Sequence, residues 1–234
     1  MINSFVALDL ETTGISPAED RIIEIGAIKV IDGKECDIFS TFVNPEMKIP
    51  ARITEITGID DKMVCDAPVI KEVFPNLIEF LEEYPLLGHN IIFDYSFLKT
   101  VAVNMGFTFE KQGIDTLKMA RRIYVSAESK RLEYLCDYLQ IDSGTSHRAY
   151  DDARSAKCLY EKMYTEKPDD DGFLKTSQLE FGVKKKSPIT PAQLRYLKSL
   201  IQIHGIVPDV MIESLTKSEA SRMIDNILSS YGRT

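Results

Sequence analysis

Three apolar segments rich in β-branched and aromatic residues crowd the first 43 positions: 4–10 (SFVALDL), 21–31 (RIIEIGAIKVI) and 35–43 (ECDIFSTFV). Each reads as a strand, because such side chains suit a pleated, half-buried surface. Asp32-Gly33 separates the second segment from the third. A two-residue type I′ turn needs positive φ at both central positions, which this dipeptide tolerates. The second and third strands are therefore expected to be antiparallel neighbours. After Pro50 the period changes. Residues 69–81 place Val69, Val73, Leu77, Phe80 and Leu81 at helical intervals, and residues 93–105 do so with Phe93, Phe97, Leu98 and Val101. Residues 132–139 and 149–164 continue the helical series, while 85–87 and Ile114 supply short buried strands between helices. A meander followed by alternating helices and strands implies a mixed α/β sheet with helices on its faces.

The chain divides by composition into a main domain at 1–165, a linker at 166–189 and a small helical module at 190–234. The linker holds Pro168, the acidic run Asp169, Asp170 and Asp171, the basic run Lys184, Lys185 and Lys186, and Pro188, with little periodicity. In the module, Thr190-Pro191-Ala192-Gln193 and Thr216-Lys217-Ser218-Glu219 are capping-box signatures, and Gly205 is placed to stop the first helix, with His204 as its C-terminal residue.

A net charge of −8 argues against nucleic acid as a partner, since neutralising phosphates requires Lys and Arg. The charge is unevenly spread. Residues 1–183 hold 20 Lys and Arg against 32 Asp and Glu, a net −12, whereas residues 184–234 hold 8 against 4, a net +4. An acidic body still admits a phosphodiester if divalent cations screen its carboxylates. No apolar run approaches the ~18 residues of a membrane span, and the opening MINSFVALDLE lacks a secretory signal's basic start and cleavage site, so a cytoplasmic protein without a membrane partner is expected. Cys36, Cys65, Cys136 and Cys158 form no C-x-x-C pair and are expected to be reduced thiols.

Asp9 and Glu11 end the first strand, and residues two apart on a strand share a face, so two carboxylates project into one space. D-x-E is short enough to recur by chance as a solvated pair; its place between a buried strand and the Thr12-Thr13-Gly14 loop favours a poised pair. In GHNIIFD (88–94), Asp94 falls in the first turn of a helix, where an acid also complements the helix dipole by about 0.3–1 kcal/mol. In HRAYDDA (147–153), a spacing of five puts His147 on the loop before a helix that carries Asp152.

In order and wording, LDLETTG, GHNIIFD and HRAYDDA resemble the three motifs of the DEDD exonucleases with a catalytic histidine, the group that includes the proofreading epsilon subunit of bacterial DNA polymerase III. The resemblance covers residues 4–165, and 53–68 (ITEITGIDDKMVCDAP) is similar to the family's connecting segment. It implies a ribonuclease-H-like fold, a mixed five-stranded sheet flanked by helices, followed here by the C-terminal helical module. It also implies that Asp9, Glu11, Asp94 and Asp152 ligate two divalent cations, Mg²⁺ or Mn²⁺, and that His147 is the general base. Thr12, Thr13, Gly14, Ile59, His89 and Asn90 would approach the 3′-terminal nucleotide, although Thr and Ile have ordinary turn and core roles as well. His89 either faces substrate or caps the strand-to-helix turn, and Asp115-Thr116 is expected to cap the next helix. Asp151 stands beside Asp152, one short of the family spacing from His147, and is expected to be solvated. Tyr138 and Asp142 match the spacing of the subgroup with tyrosine, but without its following Ala-rich helix.

The chemistry suits these residue types. In-line attack on a phosphodiester builds negative charge on the entering and leaving oxygens, and two cations about 3.5–4 Å apart stabilise both. Hard oxygen ligands select Mg²⁺ or Mn²⁺ over zinc. A histidine, with an ordinary pKa of about 6.5, suits proton removal from water. The expected activity is 3′-5′ exonucleolytic hydrolysis of DNA, most simply from single-stranded ends, in proofreading or repair. The alternatives are a ribonuclease of the same superfamily and a catalytically silent nucleic-acid-binding or replisome scaffold. A DNA polymerase is a candidate partner. So is a sliding clamp, because Gln178-Leu179-Glu180-Phe181 distantly resembles the clamp-binding pentapeptide.

Overall fold

The computed structural model describes residues 1–142, 144, 147–183, 187–208 and 211–232. The chain forms two compact units, Met1–Val183 and Lys184–Thr234. The first begins with strands β1 (Phe5–Thr12), β2 (Ile22–Ile31) and β3 (Lys34–Phe42), then helices α1 (Ala51–Thr57), α2 (Asp61–Val64) and α3 (Ile70–Leu81). Strand β4 (Leu86–Gly88), helix α4 (Ile92–Met105), strand β5 (Gln112–Asp115) and helices α5 (Thr116–Ile123), α6 (Leu132–Leu139) and α7 (Ala149–Glu166) follow, before a two-residue strand β6 (Ser177–Gln178). The sheet runs β3-β2-β1-β4-β5-β6. Strand β1 is antiparallel to β2 and parallel to β4, and β4 is parallel to β5. Asp32 and Gly33 both have positive φ, 50° and 75°, so the β2–β3 hairpin turns as its sequence requires.

Alternation along β1 decides which way the carboxylates point. Phe5 and Ala7 enter a core shared with Leu135, Ala156, Leu159 and Tyr160 of α6 and α7, whereas Val6, Leu8 and Leu10 enter a core shared with Phe74, Leu77, Tyr95 and Leu98 of α3 and α4. Period two therefore turns Asp9 and Glu11 toward the α7 side. On β2, Ile28 and Val30 belong to the α7 core, which puts Glu24 and Gly26 on that same face. The register agrees, pairing Asp9 with Gly26 and Glu11 with Glu24.

The sheet has one strand more than the expected five, and the added strand comes from the segment expected to be a linker. Residues 171–174 form a 3₁₀ turn that buries Phe173 completely, and Phe173 accepts a 2.7 Å hydrogen bond from the Ile2 amide. Strand β6 then pairs antiparallel with β5, and Leu179 is buried against Gly113, whose missing side chain makes room. Burying one Phe and one Leu contributes about 1.5–3 kcal/mol each, enough to hold an otherwise polar segment on the sheet. Gln178 donates to the Lys111 carbonyl and accepts from Gln112, so the segment resembling a clamp-binding pentapeptide starts in the edge strand and has its leucine in the core.

The second unit packs α8 (Pro191–His204) and α9 (Lys217–Tyr231) around Leu197, Leu200, Ile224 and Ile227. Both capping boxes form, Thr190 with Gln193 and Thr216 with Glu219, and Gly205 ends α8 in the left-handed region. His204, the last residue of α8, stacks on Tyr231 with ring centroids 5.0 Å apart. Lys184, Lys185 and Lys186 lie outside the described residues. Among the described residues no helix is long and apolar enough to cross a membrane, and the cysteines are free.

Candidate active site

The register of β1 with β4 ends at Ala7, and farther along β1 a residue of α4 takes up a backbone donor. The Leu10 amide donates to Asp94 Oδ1 at 3.0 Å, tying the first turn of α4 to the strand that carries Asp9 and Glu11. Asp94 is only 3% exposed, so this bond satisfies a carboxylate with little access to water. The chain turns from β4 into α4 through Asn90, whose φ of 75° is in the left-handed region asparagine tolerates.

Helix α7 brings the remaining groups. His147 has a φ of 63° on the loop just before it, and its backbone N–H donates to Asp152 Oδ2 at 3.0 Å. One ligand atom each from Glu11, His147 and Asp152 lies within 4.8 Å of the others, close enough that the three could hold one cation. His147 is exposed; Glu11 and Asp152 are half-buried. Asp151 is not among the three groups that converge. It is half-buried beside Gly144, where a Cβ would come within 2.7 Å of its carboxylate.

The electrostatics bind these carboxylates into one group. Burial, then Asp94, Asp152 and Glu11, raise the proton affinity of Asp9 well above the ordinary range. Glu11 is pushed to about 8 by burial, Asp152 and Glu24, against the opposing pull of Arg148. Asp94 reaches about 8, mainly by burial, despite its hydrogen bonds from backbone amides. Burial also raises Asp152, with the His147 amide opposing. Burial and mutual repulsion raise the proton affinity of crowded carboxylates, and divalent ions would reverse that preference.

The other positions expected near substrate divide. Thr12 donates to the Gly14 carbonyl at 2.6 Å, and the Thr13 hydroxyl accepts from the Arg21 amide at 2.9 Å. Asp20 closes this loop by accepting from the Ser16 amide at 2.8 Å, and its carboxylate occupies the space a side chain on Gly14 would need. Ile59 is wholly buried with Ile23, Ile49 and Val64, a core position. The His89 ring is committed on both sides: Nε2 donates to the Lys130 carbonyl at 2.7 Å, and Nδ1 lies 2.9 Å from the Thr116 hydroxyl. Burial lowers its proton affinity, so the ring is held neutral as a structural link between β4 and the α5–α6 region. Asp115 caps α5 and also accepts from the Asn90 amide. Tyr138 stacks on Tyr134 with centroids 6.1 Å apart, outside the carboxylate cluster.

Sequence reasoning missed Glu24, Gly26 and Arg148. Glu24 is 3% exposed and takes a forked bond from Arg148, with Nη2 at 2.6 Å and Nε at 3.2 Å from its Oε1. Gly26 lets the backbone of α7 approach: a Cβ there would lie 2.1 Å from the Tyr150 nitrogen and 2.2 Å from the Ala149 carbonyl carbon. A signal was available, because a lone acid and a glycine inside an otherwise apolar strand mark a buried partner and a close backbone approach.

The chain is similar to proteins of known family. The RNase_T exonuclease family model matches residues 6–160. A DNA polymerase III PolC-type protein of Caldanaerobacter subterraneus subsp. tengcongensis is 43% identical over 159 residues, covering 68% of this chain and 11% of that protein. The chain thus spans about a tenth of the length of the PolC-type relatives it matches. Among solved structures, exonuclease X in complex with 5′ overhanging duplex DNA matches with a TM-score of 0.56 and 26% identity, over 70% of this chain and 93% of that one. The nuclease domain of 3′hExo, a DEDDh family member bound to rAMP, matches with a TM-score of 0.60 and 20% identity, over 70% and 92%.

Proposed function

The chain belongs to the RNase_T exonuclease family, and from that premise we propose that it removes nucleotides from the 3′ ends of DNA by divalent-cation-dependent hydrolysis. Single-stranded ends, as proofreading or repair presents them, are the proposed substrate. The observation that carries the reading is the convergence of Glu11, His147 and Asp152, with Asp9 and Asp94 joined to them by mutual charge.

Asp9, Glu11, Asp94 and Asp152 would hold two cations, Mg²⁺ or Mn²⁺, because an all-carboxylate donor set suits hard ions. When bound, such ions supply charge neutralisation at the attacked phosphate and lower the pKa of a bound water. His147 stands exposed at the mouth of the cluster, where its imidazole nitrogen takes the proton of the attacking water. The hydrogen bond from the His147 backbone N–H to Asp152 keeps base and ligand in one geometry. The loop from Thr12 to Gly14 is braced by its own hydroxyls and by Asp20, so it offers a fixed backbone to the terminal nucleotide. Asn90, exposed at the α4 turn, is the proposed polar contact on the opposite side. DNA is favoured over RNA because exonuclease X, 26% identical to this chain over the matched region, forms a complex with 5′ overhanging duplex DNA. A sliding-clamp contact through Gln178 and Leu179 is not part of the proposal, since Leu179 is in the core.

Digestion of 3′- and 5′-labelled single-stranded DNA, duplex DNA and RNA, with Mn²⁺ or with EDTA, tests this reading. Stepwise shortening from the 3′ end of single-stranded DNA, abolished by EDTA, is expected. Metal-dependent shortening of RNA alone would assign the site to RNA, and no shortening of any substrate would defeat the enzymatic reading in favour of a silent binding protein.

A further inference from the structure

We propose that Glu24 and Arg148 form a positioning pair that holds the first turn of α7 in the register at which His147 and Asp152 confront Glu11. The proposal rests on the exonuclease reading for its activity readouts, and on its own geometry for the rest. Arg148 is the N-cap residue of α7, yet its side chain makes no capping bond to its own helix. Glu24 supplies the cap from β2 instead: its Oε2 accepts the Ala149 amide at 3.1 Å, while the same carboxylate takes Arg148 Nε and Nη2. The guanidinium also lies over the Phe42 ring, 5.0 Å from its centroid. Three elements, β2, β3 and α7, thus meet at one buried carboxylate, and Gly26 removes the side chain that would hold them apart.

His147 immediately precedes this clamp and Asp152 follows it by one turn. With Arg148 and Ala149 fixed to β2, His147 sits beside the clamp with its left-handed φ and a hydrogen bond from its backbone N–H to Asp152. The rest of α7 is held separately, by Ala153, Ala156, Leu159 and Tyr160 in the core. Loss of the clamp therefore loosens the first turn without unfolding the helix. Bidentate geometry, rather than charge alone, sets the register, because a guanidinium fork fixes orientation and an ammonium does not.

The test compares Arg148→Met, Arg148→Lys and Glu24→Gln with the native chain, each checked for folding by circular dichroism. On single-stranded DNA with saturating Mn²⁺, kcat is expected to fall about 10- to 100-fold, the effect of a misplacement of about 1 Å, with KM within twofold of the native value. Arg148→Lys is expected to stay within threefold of Arg148→Met. Amide hydrogen exchange supplies a readout that needs no activity: His147 and Ala149 lose protection in every variant, while Leu159 in the helix body keeps it. A folded Arg148→Met protein with native kcat, or with native protection at His147, overturns the proposal. So does a rise in KM at unchanged kcat, which would make Arg148 a substrate contact. If Arg148→Met fails to fold, the milder Glu24→Gln and Arg148→Lys variants carry the same comparison. An inactive native chain defeats the exonuclease reading and leaves the exchange comparison to decide the positioning role.

Discussion

The buried carboxylates should make the metal-free protein less stable as pH rises, and Glu11→Gln should relieve part of that burden. Glu11 holds its proton up to about pH 8 in the folded chain, against 4.5 ordinarily. Between those values the folded state binds more protons than the unfolded state, so stability is present at low pH and falls as pH climbs toward 8. At about 1.36 kcal/mol per pKa unit, the full difference for this one group is on the order of 5 kcal/mol. Replacing it with glutamine removes the charge but buries an amide, at a cost of about 1–3 kcal/mol. The net expectation is a gain of about 2 kcal/mol at pH 8, or about 4–8 °C in Tm for a unit of this size. Near pH 5 the carboxyl is protonated in the fold and the gain should vanish. Thermal unfolding of the EDTA-treated native and variant proteins at pH 5 and 8 measures this directly, and Mn²⁺ should then stabilise the native chain more than the variant. A variant less stable than the native chain at pH 8, or a difference independent of pH, would refute the account of a repulsive cluster awaiting cations.

Three further outcomes are expected. His147→Asn, chosen because asparagine tolerates the positive φ, should lose about 10²–10⁴-fold in kcat while its Tm stays within 2 °C or so; near-native turnover would remove His147 as the base. His89→Ala should destabilise the fold by about 1–3 kcal/mol in urea titration, with KM for single-stranded DNA unchanged, because both ring nitrogens serve the protein. Leu179→Ala should cost about 2–5 kcal/mol, and a chain ending at residue 165 should unfold at lower temperature than one ending at 183, if the edge strand belongs to the first unit.

The fold was largely legible because its signals are local. Apolar runs gave β1, β2 and β3, Asp32-Gly33 gave the hairpin, and capping boxes gave α8 and α9. Residues 166–183 were not legible, since the burial of Phe173 and Leu179 depends on a groove built by distant strands, while the local composition resembles a linker. The carboxylate pair at Asp9 and Glu11 followed from strand periodicity alone, whereas Asp94 and Asp152 required the family resemblance to be noticed.

By itself the sequence determined the chemical inventory, four acids and a histidine in three ordered motifs, because residue type and short spacing are properties of the chain. Only the tertiary structure decided which acids meet. Asp152 rather than Asp151 joins Glu11, since the clamp from Glu24 to Arg148 fixes the rotation of α7. His89 turns into structure, since Lys130 and Thr116 reach it from elements far along the chain. Side-chain direction on a helix or loop is set by what it packs against, and that information lies in contacts between residues many positions apart.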